Sequence, residues 1–209
     1  MKKTYRVHGD FIIKRRKASD CIFTTYKDTQ CRELLKADFF DVCGYCGKKM
    51  TLLKAKAQID HFIPQKIAPS EVNNYSNLVY SCSKCNRGKW YHWPTNDITI
   101  SHNGKEGFVD PATDDFDKHL YRASNGEILP YTSVGEYMIS KMRLDIRPIA
   151  IIWKVNQLNL KLEKVSKIIE TRRSNGQNEF LLELLDMYHE ASEELRVLLD
   201  KLYLNGEAS

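Results

Sequence analysis

The sequence predicts an α+β protein in which a small cysteine-pinned core is embedded in flanking helices and closed by a C-terminal αα-hairpin. Three observations predict it. Two Cys-x-x-Cys pairs, at 43–46 and 82–85, enclose short β-leaning pieces, a helical period of apolar residues begins at Pro148, and Asn175-Gly176 breaks that period into two antiparallel halves. At 209 residues the chain is long enough for one generous domain or a small module with a helical appendage. A hydrophobic fraction of 42% with 11% aromatic residues excludes a disordered or collagen-like polymer. No apolar run approaches the ~20 residues that cross a bilayer. The opening MKKTYRVHGDFIIKRRK lacks the apolar run and cleavage site of a secretory signal, so the expected location is the cytoplasm, away from membranes. Thiols stay reduced there, and the six cysteines read as metal ligands or buried residues rather than disulfides.

Taken in order, residues 1–42 read as a basic arm followed by a helix. Within the arm Phe11, Ile12 and Ile13 lean towards β structure. Asp28 stands where an N-cap would, and Leu34, Leu35, Phe39 and Phe40 fall on helical spacing over about 28–40. Residues 43–92 form the cysteine-bounded core, with a strand-like piece before Asp60-His61 and a helix beginning near Ser83. Residues 93–145 are a turn-rich extension in which Asn125-Gly126 separates two strand-like pieces as a hairpin, before a helix from Ser133 to Leu144. In 146–209, Ile152, Val155, Leu158, Leu162, Val165 and Ile169 recur every three or four residues, and Leu181 to Leu202 repeat the pattern beyond the break. Two such helices joined by so short a turn must lie antiparallel.

The net charge of +5 hides a segregated pattern. Residues 1–17, 43–92 and 141–173 each carry +6, whereas 176–209 carry −6. Solvated helix faces account for 141–173 as well as any other reading does, but in 43–92 the charge coincides with candidate chemistry and points to a polyanion.

Cys43, Cys46, Cys82 and Cys85 have the spacing of two knuckles presenting four thiolates to one ion, a closed tetrahedral and hence structural zinc site. Cys21 and Cys31 lie outside any such spacing. Of the 35 residues between the pairs, Asp60, His61 and Asn77 stand out, and Asn86 follows the last cysteine in CSKCNRGK. In order, spacing and residue type these resemble the HNH endonucleases, the ββα-metal nucleases, in the subclass pinned by a four-cysteine zinc site. The NRGK run also resembles the end of the HNH module in RNA-guided CRISPR nucleases.

The residues themselves can do the chemistry. Phosphodiester hydrolysis needs a base for water, charge neutralisation at the phosphorane-like transition state, and support for the leaving alkoxide. Neutral His61 can take the proton. Asp60 and Asn86 offer hard oxygen ligands that leave room for water and phosphate, which suits Mg²⁺ or Mn²⁺. The resemblance implies the same assignment: His61 as general base, Asp60 and Asn86 as catalytic-metal ligands, Asn77 as the residue that holds the loop and orients the base, and cleavage of DNA to 5′-phosphate and 3′-hydroxyl ends. Many relatives carry His where Asn86 stands, so dependence on free Mg²⁺ should be stronger here.

Arg87 and Lys89 read as phosphate contacts at the substrate. Trp90, Tyr91 and Trp93 could stack on bases but read more readily as local core, and His92 has no second spacing to support it. His8, His102, His119 and His189 are isolated and read as surface or capped histidines. Asp110, Asp114, Asp115 and Asp117 read as an acidic helical turn rather than a cation site. The stretch GFVDPATDDFDKHLYRASNGEILP resembles the segment after the HNH core in nuclease subunits of bacterial defence systems, the Septu-type subunits among them. The group implies anti-phage defence beside an ATPase subunit. In the second C-terminal helix Phe180, Met187, Leu199 and Leu204 lie off the apolar stripe or at its edge, where a protein partner or self-association would use them. The rival reading is a non-catalytic zinc-ribbon nucleic-acid-binding module, which the basic segments and cysteines alone would satisfy.

Overall fold

A computed structural model describes residues 4–204. Strand β1 (Thr4–Tyr5) opens the described chain, and an irregular arm leads to helix α1 (Thr29–Asp38). Phe11 to Ile13 run as irregular backbone instead of a strand, because the arm is held by side chains rather than by a ladder. Asp28 precedes α1 as expected but closes the turn before it, accepting the N–H groups of Thr24 at 2.7 Å and Thr25 at 3.0 Å. The basic character of the arm is largely consumed internally. Arg15 makes a two-pronged pair with Asp110 at 2.8 and 2.9 Å and donates to Leu78 O, while Arg16 grips Asp38 at 2.6 Å. Arg15 and Arg16 thereby strap the described part of the arm across the core.

The core is a ββα unit. Strand β2 (Ala57–His61) pairs antiparallel with β3 (Leu78–Cys82), His61 opposite Leu78 and Ala57 opposite Cys82, and helix α2 (Ser83–Lys89) starts at once. All five residues of β3 are buried, as its unbroken Leu-Val-Tyr run requires of a strand covered on both faces. Within α2, Gly88 lies so close to the end of helix α4 that a Cβ would come to 2.7 Å from Lys141 O. Only glycine lets these helices meet there.

The extension contains the short helix α3 (Phe116–His119), strands β4 (Leu120–Ala123) and β5 (Ile128–Pro130), and α4 (Ser133–Met142). Strand β4 lies between β1 and β5, and the Asn125-Gly126 turn joins β4 to β5 as a hairpin. Arg122 of β4 is fully buried and bonds to the carbonyls of Val7, Cys46 and Gly126, its guanidinium 4.6 Å from the Trp153 ring centroid. One residue thus links the arm, the first cysteine knuckle, the hairpin turn and Trp153 of the first long C-terminal helix. Helices α5 (Ile149–Ser174) and α6 (Leu181–Leu204) pack as the expected αα-hairpin. Helix α5 buries seven side chains, whereas α6 buries only Ala191 and Leu202. No helix among the described residues is long and apolar enough to cross a membrane.

His8 departs from the surface position expected of it. It is buried, stacked on Phe116 with centroids 5.4 Å apart, and donates Nε2–H to Gly44 O inside the first knuckle. Burial lowers its pKa to about 4; the Gly44 carbonyl opposes the shift and the Arg122 charge adds to it. The unfolded chain takes up this proton near ~6.5. His8 therefore leaves stability untouched above that pH and withdraws up to about 3 kcal/mol as pH falls from there to 4. In His8→Gln that part of the acid loss should vanish. Urea midpoints that fall as steeply with pH in the variant as in the parent protein would refute it.

Candidate functional site

The four cysteine sulfurs, all buried, lie within 4.8 Å of one another. The Cys46–Cys82 separation is 3.9 Å, close to the ~3.8 Å edge of a tetrahedron of thiolates around Zn²⁺. Cys43 and Cys46 come from the turn before β2, and Cys82 and Cys85 from the β3–α2 junction, where Cys82 is both the last strand residue and the helix N-cap. Arg147 reaches three of the sulfurs, at 3.2 Å from Cys85, 3.7 Å from Cys82 and 3.8 Å from Cys46. A guanidinium there offsets the excess negative charge of four thiolates on a divalent ion. The donor set and its geometry fit a structural zinc. Cys21 and Cys31 stay outside the cluster, and burial pushes the Cys31 thiol up to about 11.

Beside this cluster is a cleft of about 360 Å³ lined by Asp60, His61, Gln65, Asn86, Arg87 and Trp90, among others. His61 closes β2 and carries a defined tautomer. Its Nε2–H must donate to Val72 O at 2.8 Å, because a carbonyl can only accept, and Nδ1 then accepts from Gln65 Nε2 at 2.9 Å. Tyr26 packs edge-on against the imidazole with centroids 4.6 Å apart. Burial lowers the His61 pKa, against the opposing Val72 carbonyl and Asp60 carboxylate, and so favours the neutral ring.

Asn77 fixes the loop that supplies the Val72 carbonyl. Its Oδ1 accepts from Ile63 N at 2.7 Å, and its amide donates to Ile63 O at 3.1 Å and Glu71 O at 3.2 Å. Both ends of the 62–77 connection are thereby tied to one buried side chain. Asn86 donates its amide to Gln58 Oε1 at 2.8 Å, which among the described residues leaves its carbonyl oxygen available as a ligand atom. Asp60 is buried beside it. Tyr45 O–H donates to Asp60 Oδ2 at 2.5 Å, and the Lys89 ammonium lies 3.3 Å from Oδ1 and 3.2 Å from Oδ2. Burial pushes the Asp60 carboxyl up, while Lys89 and then Tyr45 hold it down and fix its orientation.

Lys89 corrects an expectation. Its side chain is fully buried and donates to His61 O at 2.7 Å as well as to Asp60, so it faces inward, away from any phosphate. A cation in the last turn of so short a helix can point to either side, and packing against Phe62 and Phe108 draws it in. Arg87 lines the cleft and donates Nε–H to Ser83 O. Trp90 and Tyr91, expected in the core, are exposed at 59% and 48% and form part of the cleft wall, with Lys66 4.4 Å above the Tyr91 ring centroid. Trp93 does pack inward, edge-on to Phe62. The contributions of Tyr45, Gln65, Val72 and Arg147 carry no motif signal. Each depends on where the chain returns in space; only the position of Tyr45 inside the first knuckle placed it near the cluster.

With this geometry in hand, comparison with known proteins gives the class: residues 43–90 match the HNH endonuclease family, and the chain carries an HNH domain. The relatives are narrower in kind. The chain is similar to Septu protein PtuB of Bacillus mycoides (strain KBAB4), 27% identical over 174 residues, 72% of this chain and 56% of that protein. It is also similar to Septu protein PtuB of Bacillus thuringiensis, 25% identical over 104 residues, 50% of this chain and 35% of that protein. The chain thus spans about half the length, or less, of these curated relatives. No solved structure matches.

Proposed function

We propose that this chain is a metal-dependent endonuclease that hydrolyses DNA phosphodiester bonds in bacterial anti-phage defence, and that its four cysteines hold a structural Zn²⁺. The observation that carries the reading is the tautomer of His61. With Nε2–H committed to Val72 O, the lone pair is on Nδ1, and His61, Asp60 and Asn86 all line one cleft. A non-catalytic zinc ribbon would need neither this imidazole nor the Asn77 clamp behind it.

Mg²⁺ or Mn²⁺ held by Asp60 and Asn86 would neutralise charge on the scissile phosphate and on the departing 3′ oxygen. His61 Nδ1 takes the proton of the attacking water, once Gln65 has given up its hydrogen bond, and the imidazolium that forms is supported by the Val72 carbonyl and Asp60. Lys89 and Tyr45 keep the carboxylate in place throughout. The test is incubation of purified protein with plasmid, linear duplex and single-stranded DNA in Mg²⁺, Mn²⁺ or EDTA. Cleavage leaving 5′-phosphates in the presence of a divalent ion supports the reading; inertness on every substrate in both metals overturns it.

The phosphate track follows from the charge. A groove of about 640 Å³ lined by Lys84, Arg87, Lys141 and Arg143, with Arg147 on its cysteine side, shares Arg87 with the cleft, so cations of α2 and the end of α4 continue from the site along one surface. Lys141→Gln with Arg143→Gln is expected to weaken DNA binding at all sequences and to flatten the slope of log affinity against log salt by up to about 2. Lys14→Gln with Lys17→Gln, on the strapped arm, should leave that slope unchanged. The opposite pattern would move the track to the arm.

A protein partner, such as the ATPase subunit implied by the Septu-type resemblance, fits the outer face of α6. Leu182, Met187, Val197 and Leu204 are exposed there among carboxylates that would repel DNA.

A further inference from the structure

Outside the two sites described, the fold gathers a third set of donors that the sequence leaves scattered. His102, Asp115 and His119 each present one ligand atom, and the three lie within 4.8 Å of one another. His119 Nε2 is 3.4 Å from Asp115 Oδ2. A good charge-assisted hydrogen bond between these groups would be ~2.7–2.9 Å. The observed separation instead matches the ~3.3–3.6 Å edge of a tetrahedron whose metal–ligand bonds are ~2.0–2.2 Å. The pair is spaced to share an ion rather than a proton.

The surroundings hold the donors in that arrangement. His119 Nδ1 lies 2.7 Å from the hydroxyl of Thr132, the N-cap of α4, whose oxygen also accepts from Gly135 N. When Nδ1–H donates to that oxygen, the Nε2 lone pair is turned to Asp115, the outer-sphere hydrogen bond that metal-binding imidazoles almost always make. Asp115 gives Oδ1 to Lys118, at 3.1 Å, and keeps Oδ2 for the site. His102 comes from a tight strap closed by the His102–Gly107 bridge and by Phe108 N donating to Ser101 O, with Phe108 fully buried beneath. Gly107 has φ +129°, and a Cβ there would come within 2.3 Å of Ser101 O, so the strap closes only with glycine at its base. The His102 ring stands edge-on to that of His119, centroids 5.4 Å apart, and the Gly104 N–H holds its Nδ1 only at a long 3.3 Å.

We propose that His102, Asp115 and His119 form a second metal site, for Zn²⁺ or a neighbouring late first-row ion. Two imidazoles and one carboxylate suit that class, whereas Mg²⁺ and Ca²⁺ prefer all-oxygen sets. Three protein ligands leave one position for water. The bound ion staples the 101–108 strap to the corner where α3, β4 and α4 meet.

The test is calorimetric titration of Zn²⁺ into purified protein whose cysteine site is already loaded, in excess Mg²⁺ to hold the candidate active site. About one further equivalent of zinc should bind. His119→Ala and His102→Gln should each weaken it by about 100-fold or more, with the cysteine-bound zinc and the circular dichroism unchanged. His102 lies on a surface strap, so its variant keeps the test valid even where His119→Ala fails to fold. His61→Ala should leave the extra equivalent intact. Absence of a further equivalent overturns the proposal, as does one that survives both strap-site variants or disappears in His61→Ala.

Discussion

Stripping zinc from the four cysteines, or changing Cys82→Ser, is expected to abolish cooperative folding of the core. The ion would join two segments that share no β-ladder: the 43–47 turn and the β3–α2 junction. Cys82 ends the strand and caps the helix in one residue, so its sulfur sets the angle at which α2 leaves the sheet. Between the first two cysteines Tyr45 is fully buried and donates to Asp60, so the turn that would hold the metal also carries one support of the candidate active site. Apparent binding energies of structural zinc run to about 10–16 kcal/mol, as large as the whole stability of an ordinary domain at about 5–15 kcal/mol. Purified protein should contain about one tightly held zinc that survives mild EDTA, and its thermal transition should broaden or disappear once the ion is removed by a strong chelator. A zinc-free protein with an unchanged melt would show that the cysteines are only a buried cluster. Arg147→Gln is the milder companion change, since it removes charge beside the thiolates without removing a ligand.

What was legible in the sequence was local. The Cys-x-x-Cys spacings, the Asn-Gly turn of the β4–β5 hairpin, the start of α2 and the period of α5 and α6 each rest on neighbours a few residues away, and the structure places them where their spacing did. Asp60, His61, Asn77 and Asn86 stand out as candidates through their resemblance, in order, spacing and residue type, to the HNH endonucleases. The rest depended on partners distant in sequence. Lys89 turns inward because Asp60, 29 residues away, needs a counter-charge there. Arg15 is spent on Asp110, 95 residues away. Trp90 and Tyr91 stay outside because α2 ends at Trp90 with φ +51°, which turns the chain away from the core. The triad of His102, Asp115 and His119 needs a strap and a short helix to meet, and nothing in their spacing announces it.

His61→Ala should lower DNA cleavage by about 10³-fold, within the range that a positioned base contributes, while leaving zinc content, folding and DNA affinity nearly intact. The fold should tolerate the change because, among the described residues, the imidazole makes two hydrogen bonds, to Val72 O and from Gln65, and the loop that supplies them is fastened independently by Asn77. Loss of both bonds costs about 2 kcal/mol, a minor share of a domain's stability. Asn77→Ala separates the two functions from the other side. It leaves the base in place but removes three bonds to the loop, so the Val72 carbonyl that fixes the tautomer should wander, lowering both rate and melting temperature. Lys89→Met should likewise act on both, because it strands Asp60 without its buried counter-charge. Only His61→Ala combines a large loss of rate with unaltered binding and a melt lowered by no more than those two bonds account for. If it cuts at the parent rate, His61 is not the base. If binding falls as far as cleavage, the imidazole holds substrate in the ground state and another group must take the proton.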